Sequence, residues 1–180
     1  MIYSSAETEK KAALRVAELM VAAARTAPKA CGVDVIETVI LDGADKGKLT
    51  AAMRVCKMGA RSEFFARDAA LVDKCPCIVL IGGGAAPRAL DCGLCGVKDC
   101  AAAVQSGVAC AMAVNDLGIA VGSAASVAMD CRIDNRILFT AGMAALGMKC
   151  FSDKVKICFG IGLSVSGKNI FFDRPPISCP

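Results

Sequence analysis

The chain has 180 residues, a formal net charge of +4 and neither histidine nor tryptophan; it is 56% hydrophobic but only 4% aromatic, at a mean hydropathy of +0.55. That length suits one domain, residues 1–180, with a core able to stand without staples. Lack of histidine excludes Ser–His and Cys–His nucleophilic machinery, and scattered cations without stacking aromatics exclude a nucleic-acid surface.

Residues 4–27 read as an amphipathic helix. Ser4 and Glu7 make a capping-box pair, Leu14, Ala17, Val21 and Ala24 recur at helical spacing, and Pro28 ends it. Charges in its first twelve positions leave no apolar signal-peptide region. Residues 33–42, branched and almost continuously apolar, predict a buried strand. Helices are expected at 45–58 and 62–73, with Gly59 as the break, and a second buried strand at 75–83. A Gly/Ala/Pro loop then delivers a cysteine-rich segment, followed by helices at 99–106 and 114–130. Residues 133–148 read as a further helix, 154–166 as a strand and 167–180 as a tail.

Between Cys100 and Met129 the only charge is Asp116. The stretch is nevertheless rich in Ala and Gly and carries Gln105, Asn115, Ser123 and Ser126, so buried helices are expected and no membrane span. The element order makes one mixed α/β or α+β domain without internal repeats.

The segment DCGLCGVKDC, 91–100, holds the chemistry. Twelve cysteines in a chain that needs no disulfides point to a reducing, cytoplasmic setting, with thiols free, buried or metal-bound. Cys92, Cys95 and Cys100 follow C-x2-C-x4-C, and Cys110 is the nearest fourth thiol; Cys75, Cys77 and Cys131 are alternatives if tertiary folding brings them in. Gly93 and Gly96 allow tight or left-handed turns that aim peptide N–H groups at sulfur. Zinc sites usually show two C-x2-C-like pairs, whereas here only one has that form. Four soft thiolates therefore predict an iron–sulfur cluster bound at 91–110. The alternative is a structural zinc module that mediates protein–protein interaction. Cys31, Cys56, Cys131, Cys150 and Cys158 are expected to be small buried hydrophobes.

Three stretches, LDCGLCGVKDC…GVAC, NDLGIAVGSAASVAMDCRIDNRI and GIGLSVSGKNIFFDR, resemble an uncharacterised prokaryotic family described as containing a ferredoxin domain. The similarity runs over about 22–174 and implies a [4Fe–4S] site on Cys92, Cys95, Cys100 and Cys110. The first three cysteines also resemble the C-G-x-C-G-x3-C segment of iron–sulfur subunits in electron-transfer and corrinoid systems. The function implied is an iron–sulfur redox protein.

AARTAPKACGVDVIETVIL and GKNIFFDRP are similar to the two ends of nitroreductase-like flavoproteins. This resemblance implies a nitroreductase-like α+β fold, helices packed on a small mixed sheet, with FMN between the subunits of a homodimer. An FMN phosphate wants Arg or Lys on loops, and Arg25, Lys29, Lys168 and Arg174 are the candidates. The protein would then be an FMN-dependent oxidoreductase. The uncharged, small-residue face of 114–130 and the surplus of apolar residues also predict a homodimer.

Overall fold

Helix α1 (Ser5–Thr26) begins where the capping residues place it. The Glu7 N–H donates to the Ser4 hydroxyl, and the Ser4 N–H donates back to the Glu7 carboxylate, satisfying two donors that a helix start leaves orphaned. The structure, a computed structural model, describes residues 2–56 and 62–173. After α1 come β1 (Ile36–Asp42), α2 (Gly43–Val55), α3 (Ser62–Lys74), β2 (Cys77–Gly83), α4 (Cys100–Ser106) and α5 (Ala111–Asp130). The chain closes with β3 (Asp134–Leu138), α6 (Phe139–Leu146) and β4 (Ile157–Ser164), and 3-10 turns lie at Ala30–Gly32 and Ile170–Phe172. The expected break at Gly59 falls outside the described residues.

The four strands lie in the order β1-β2-β4-β3. The α+β class holds, but every neighbouring pair is antiparallel where a mixed sheet was expected. The reason is topological. The helix pair α2–α3 returns the chain to the end of the sheet where β1 stopped, and β4 starts at the end where β2 and β3 finish.

One element differs outright. The helix expected over 133–148 is strand β3 followed by the shorter α6. Asp134, Asn135 and Arg136 are poor strand formers, yet Ile137 pairs with Ile161 and Leu138 with Gly160 on β4. Pairing with a distant strand outweighs local preference at this edge.

Helices cover both faces of the sheet, so the strands read as continuous apolar runs rather than alternating ones. Val79 and Ile81 of β2 face α1 and α5, packing with Met20, Leu117, Ala120 and Ala124. Ile78 and Leu80 face the other way, toward Leu49, Met53, Val72 and Ala145 on α2, α3 and α6. Each such side chain, fully buried, contributes roughly 1.5–3 kcal/mol. The alanines of α1 and α5 let the two helices approach closely, and the Ser123 hydroxyl donates across to the Ala23 carbonyl at 3.1 Å. Among the described residues, α5 is the one helix long and apolar enough to cross a membrane. It packs as a core helix, with Asp116, Leu117, Ala120, Val121 and Ala124 turned inward.

Candidate functional site

One end of the sheet collects most of the chemistry. Ile36 at the start of β1 lies opposite Gly83 at the end of β2, and Gly83 lies opposite Ile157 at the start of β4. The cysteine segment leaves β2 from this end. It is tied back there by the Cys110 N–H, which donates to the Ala85 carbonyl at 3.0 Å.

Between β2 and α4 the backbone turns repeatedly into the left-handed region: Ala89 (φ 57°), Asp91 (46°), Gly93 (67°) and Gly96 (82°). Gly93 and Gly96 adopt it without the Cβ penalty, as their placement beside cysteines predicted. The Gly96 N–H closes a turn on the Gly93 carbonyl at 2.9 Å. Asp91 clips the loop to α4, its carboxylate accepting the Cys100 N–H at 2.8 Å while its own N–H points at the Cys100 sulfur at 3.4 Å. Cys92 is exposed, and Cys95 and Cys100 are half-buried. Among the described residues no three Cys, Asp or Glu side chains converge on one point.

Cys110 differs from these three. The helix expected from residue 114 begins at Ala111, which makes Cys110 the N-cap of α5. Its thiol is buried, and burial alone would raise its pKa. The backbone of Ala113, Arg88 and Met112, together with the Arg88 charge, outweighs burial and holds the pKa below the ordinary thiol value, although no N–H of α5 makes a cap hydrogen bond to the sulfur. Cys75, Cys77 and Cys158 show the opposite behaviour. Burial pushes each to about 12, so they sit protonated in the core. Two expected core thiols are instead exposed. Cys31 lies on the Ala30–Gly32 turn at φ 56°, and Cys131 caps the end of α5, where no core is left to cover it.

The sequence reading missed Arg88 and Asp116. Their side chains are each 2% exposed, and Arg88 Nε donates to Asp116 Oδ2 at 3.1 Å. The other carboxylate oxygen accepts the Ala30 N–H at 2.8 Å, so one buried aspartate joins α5, the cysteine loop and the turn that carries Cys31. Arg88 Nη2 also lies 3.1 Å from Asp116 Oδ2, but its N–H bonds are not aligned on that oxygen, and among the described residues it has no hydrogen-bond partner. The available signal was Asp116 itself, a lone charge in an apolar helix.

The donor chemistry fits a thiolate-ligated cluster. Soft sulfurs are carried on a loop of left-handed turns, and the Asp91 N–H is directed at one of them.

The expected phosphate ligands fit less well. Arg25 is paired with Asp34 at 2.5 Å, and the Lys29 ammonium turns back on the carbonyls of Ala24, Arg25 and Ala27 at the end of α1. The 270 Å³ cleft beside Arg25 is also lined by Asp34 and Glu37, which oppose an anion. Lys168 pairs with Asp173 at 2.8 Å beyond Ser164, at the other end of β4. The eight residues of that strand separate the two ends by roughly 23 Å. A single chain thus does not bring these cations onto one phosphate. Arg174 lies outside the described residues. A 440 Å³ cleft at the cysteine end, lined by Lys149, Ser152, Val155 and Lys156 among others, was not anticipated.

Residues 106–174 match a family described as "Uncharacterized protein containing a ferredoxin domain". That span includes Cys110 and α5 but starts after Cys92, Cys95 and Cys100. An uncharacterized protein of Archaeoglobus fulgidus is 37% identical over 179 residues, covering 93% of this chain and 95% of the relative. Among solved structures, NfrA2 of B. megaterium aligns with TM-score 0.58 at 11% identity, over 86% of this chain and 58% of that one. An FMN-dependent nitroreductase from Clostridium difficile R20291 aligns with TM-score 0.55 at 13% identity, over 86% and 76%. The chain therefore spans under two thirds of the length of NfrA2. At these identities the likeness is one of fold, and the fold is nitroreductase-like.

Proposed function

The chain belongs to the family described as uncharacterized proteins containing a ferredoxin domain, and on that premise we propose that it is a redox protein that binds a [4Fe–4S] cluster through Cys92, Cys95, Cys100 and Cys110 and transfers electrons. The observation that carries the reading is the thiol loop. Its left-handed turns at Ala89, Asp91, Gly93 and Gly96 hold Cys92, Cys95 and Cys100 in solvent's reach, the Asp91 N–H points at the Cys100 sulfur at 3.4 Å, and the Cys110 N–H ties the far end of the segment to the Ala85 carbonyl. Thiolates are the form that ligates metal, and peptide N–H groups directed at sulfur are one of the ways a protein sets a cluster's potential. Segment 91–110 is thus the cluster-binding part of a one-domain protein that works in a reducing, cytoplasmic setting.

Bound there, the cluster supplies one-electron transfer; the residues of this chain bind it, orient it and limit its exposure to water. No step of the proposed activity runs through FMN, because the described cations do not meet in one chain. A flavin site built from them would need Arg25 and Lys29 of one protomer with Lys168 and Arg174 of a second. A homodimer is proposed on separate grounds. The exposed face of α5 presents Val114, Gly118, Ile119, Gly122 and Met129 beside Asn115 and Ser126, and its one charge, Asp130, stands at the end of the helix.

Anaerobic purification and reconstitution, followed by iron, sulfide and zinc analysis and electron paramagnetic resonance of the reduced protein, tests the reading. Brown protein with matched iron and sulfide and a reduced-cluster signal is expected. Colourless protein holding zinc would replace it with the structural-module alternative.

A further inference from the structure

The 440 Å³ cleft at the cysteine end of the sheet is built by the segment that joins α6 to β4. Two clasps fix that segment. The Ser152 N–H donates to the Glu37 carboxylate of β1 at 2.9 Å, and the Ser152 hydroxyl donates to the other carboxylate oxygen. The Lys156 N–H donates to the Gly83 carbonyl at the end of β2, at 3.0 Å. Gly82 and Gly84 let the segment settle this close. A Cβ at Gly82 would lie 2.5 Å from a methyl carbon of Val155, and one at Gly84 would lie 3.3 Å from the Lys154 carbonyl oxygen. The cleft is therefore formed before any ligand arrives, and its volume falls within the ~300–1,000 Å³ usual for small-molecule sites. Leu146, Phe151 and Val155 make its apolar wall, while Lys149, Lys156 and Asp153 bring two ammonium groups against one carboxylate. Lys29, Lys46, Lys48 and Lys168 each spend their ammonium on a carbonyl or a carboxylate of this chain. Among the described residues the ammonium groups of Lys149 and Lys156 have no such partner. Lys149 also holds φ 55° just past the end of α6, where glycine or asparagine is the usual residue.

We propose that this cleft binds a small organic anion, a phosphate or carboxylate group carried on an apolar body: Lys149 and Lys156 hold the anionic group, and Leu146, Phe151 and Val155 receive the body. Two ammonium groups outnumber the single carboxylate, so an anion is favoured over a cation, and each lysine can donate to an oxyanion as a charge-assisted hydrogen bond. The apolar wall adds selectivity, because a bare inorganic ion gains nothing from it. The site uses no thiol of the cysteine segment and is independent of the cluster reading above.

Calorimetric titration of the full chain at low ionic strength tests this, with phenyl phosphate and benzoate as probes. At least one should bind with a Kd of ~1 mM or below, and the tighter of the two identifies the anionic group. Lys149→Gln with Lys156→Gln should weaken that binding at least tenfold; both side chains are exposed, so the fold should survive the change. Lys10→Gln with Lys74→Gln removes the same charge from a cleft beside Cys75 and Val165, at the opposite end of the sheet, and should leave binding unchanged. That pair separates a site from the general attraction of a basic protein for anions. Inorganic phosphate and acetate, which lack the apolar body, should bind at least tenfold more weakly than the aromatic probes. Three results would each overturn the assignment: no binding of either aromatic probe, equal losses in the two lysine pairs, or inorganic ions binding as tightly as the aromatic ones. None of them bears on iron uptake, and a protein that takes up no iron would leave this site standing.

Discussion

Asp116 and Arg88 pair inside the protein with 2% of each side chain exposed, whereas the Arg25–Asp34 pair leaves the arginine 51% exposed. Burial makes these two ion pairs energetically different. Asp116→Ala strands a guanidinium in the interior and should cost roughly 3–5 kcal/mol. Arg25→Ala removes a solvated pair and should cost no more than about 1 kcal/mol. Urea unfolding of the metal-free protein compares them. Equal losses would show that burial is not what distinguishes the pairs.

Serine variants of Cys92, Cys95 and Cys100 should each abolish iron incorporation, because a cluster deprived of one thiolate exposes an iron edge. Cys158→Ser should leave iron content unchanged, since that thiol is protonated within the core, its pKa pushed up to about 12. Iron analysis after identical reconstitution reads this directly. Retention of iron by all four variants would remove the ligand assignment.

Two helical glycines make opposite predictions. A Cβ at Gly142 would stand 1.8 Å from the Cys158 carbonyl oxygen, a backbone atom of β4 that cannot move aside. Gly142→Ala must push α6 off the sheet and should cost at least about 1–3 kcal/mol. A Cβ at Gly47 in α2 meets nothing within 4 Å, and Gly47→Ala should stabilise the protein by roughly 0.5–1 kcal/mol. Thermal melts should move in opposite directions; a neutral Gly142→Ala would mean that the two elements are not held in this close contact.

Acid should weaken the fold through three carboxyls. Ser152, through its hydroxyl and its N–H, holds Glu37 below its ordinary 4.5. Burial would raise Asp34 and Asp73 above 3.8, but the hydrogen bonds and charges of Arg25 and Arg54 outweigh it and both are lowered. A depressed carboxyl contributes stability that is complete above its unfolded pKa and is lost as pH falls through the folded value. The melting temperature should therefore hold down to about pH 5 and decline below about pH 4. Glu37→Gln together with Asp34→Asn should flatten that decline, and an unchanged acid limb would discount these groups.

The proposed dimer has a mass signature. Light scattering at micromolar concentration should return twice 18.4 kDa, and Gly122→Arg, placed where a Cβ meets nothing within 4 Å, should return the single-chain mass. An 18.4 kDa wild type refutes the α5 interface. The same pair of proteins tests the flavin. FMN at ~100 μM should be quenched by the wild-type dimer and not by the Gly122→Arg chain. Binding by the Gly122→Arg monomer would contradict a site shared between protomers.

Much of the molecule follows from short-range features of the chain. Ser4 and Glu7 start α1 because a helix end needs its N–H groups satisfied locally. The branched runs before Asp42 and Gly83 form strands because both faces of the sheet are covered. The C-x2-C-x4-C spacing and its two glycines marked the thiol loop, since left-handed turns depend on individual residues. What only the tertiary structure decided depends on partners far away along the chain. Strand β3 exists because β4 pairs with it, against the preference of Asp134 and Asn135. Lys29 is unavailable to a phosphate because the end of α1 takes its ammonium, and Lys168 is remote because β4 lies between. Cys110 and Asp116 are separated from Arg88 by 22 and 28 residues, and no periodicity links them. Their association arises only when a buried charge has to find its counter-charge, a requirement that folding imposes and local sequence does not display.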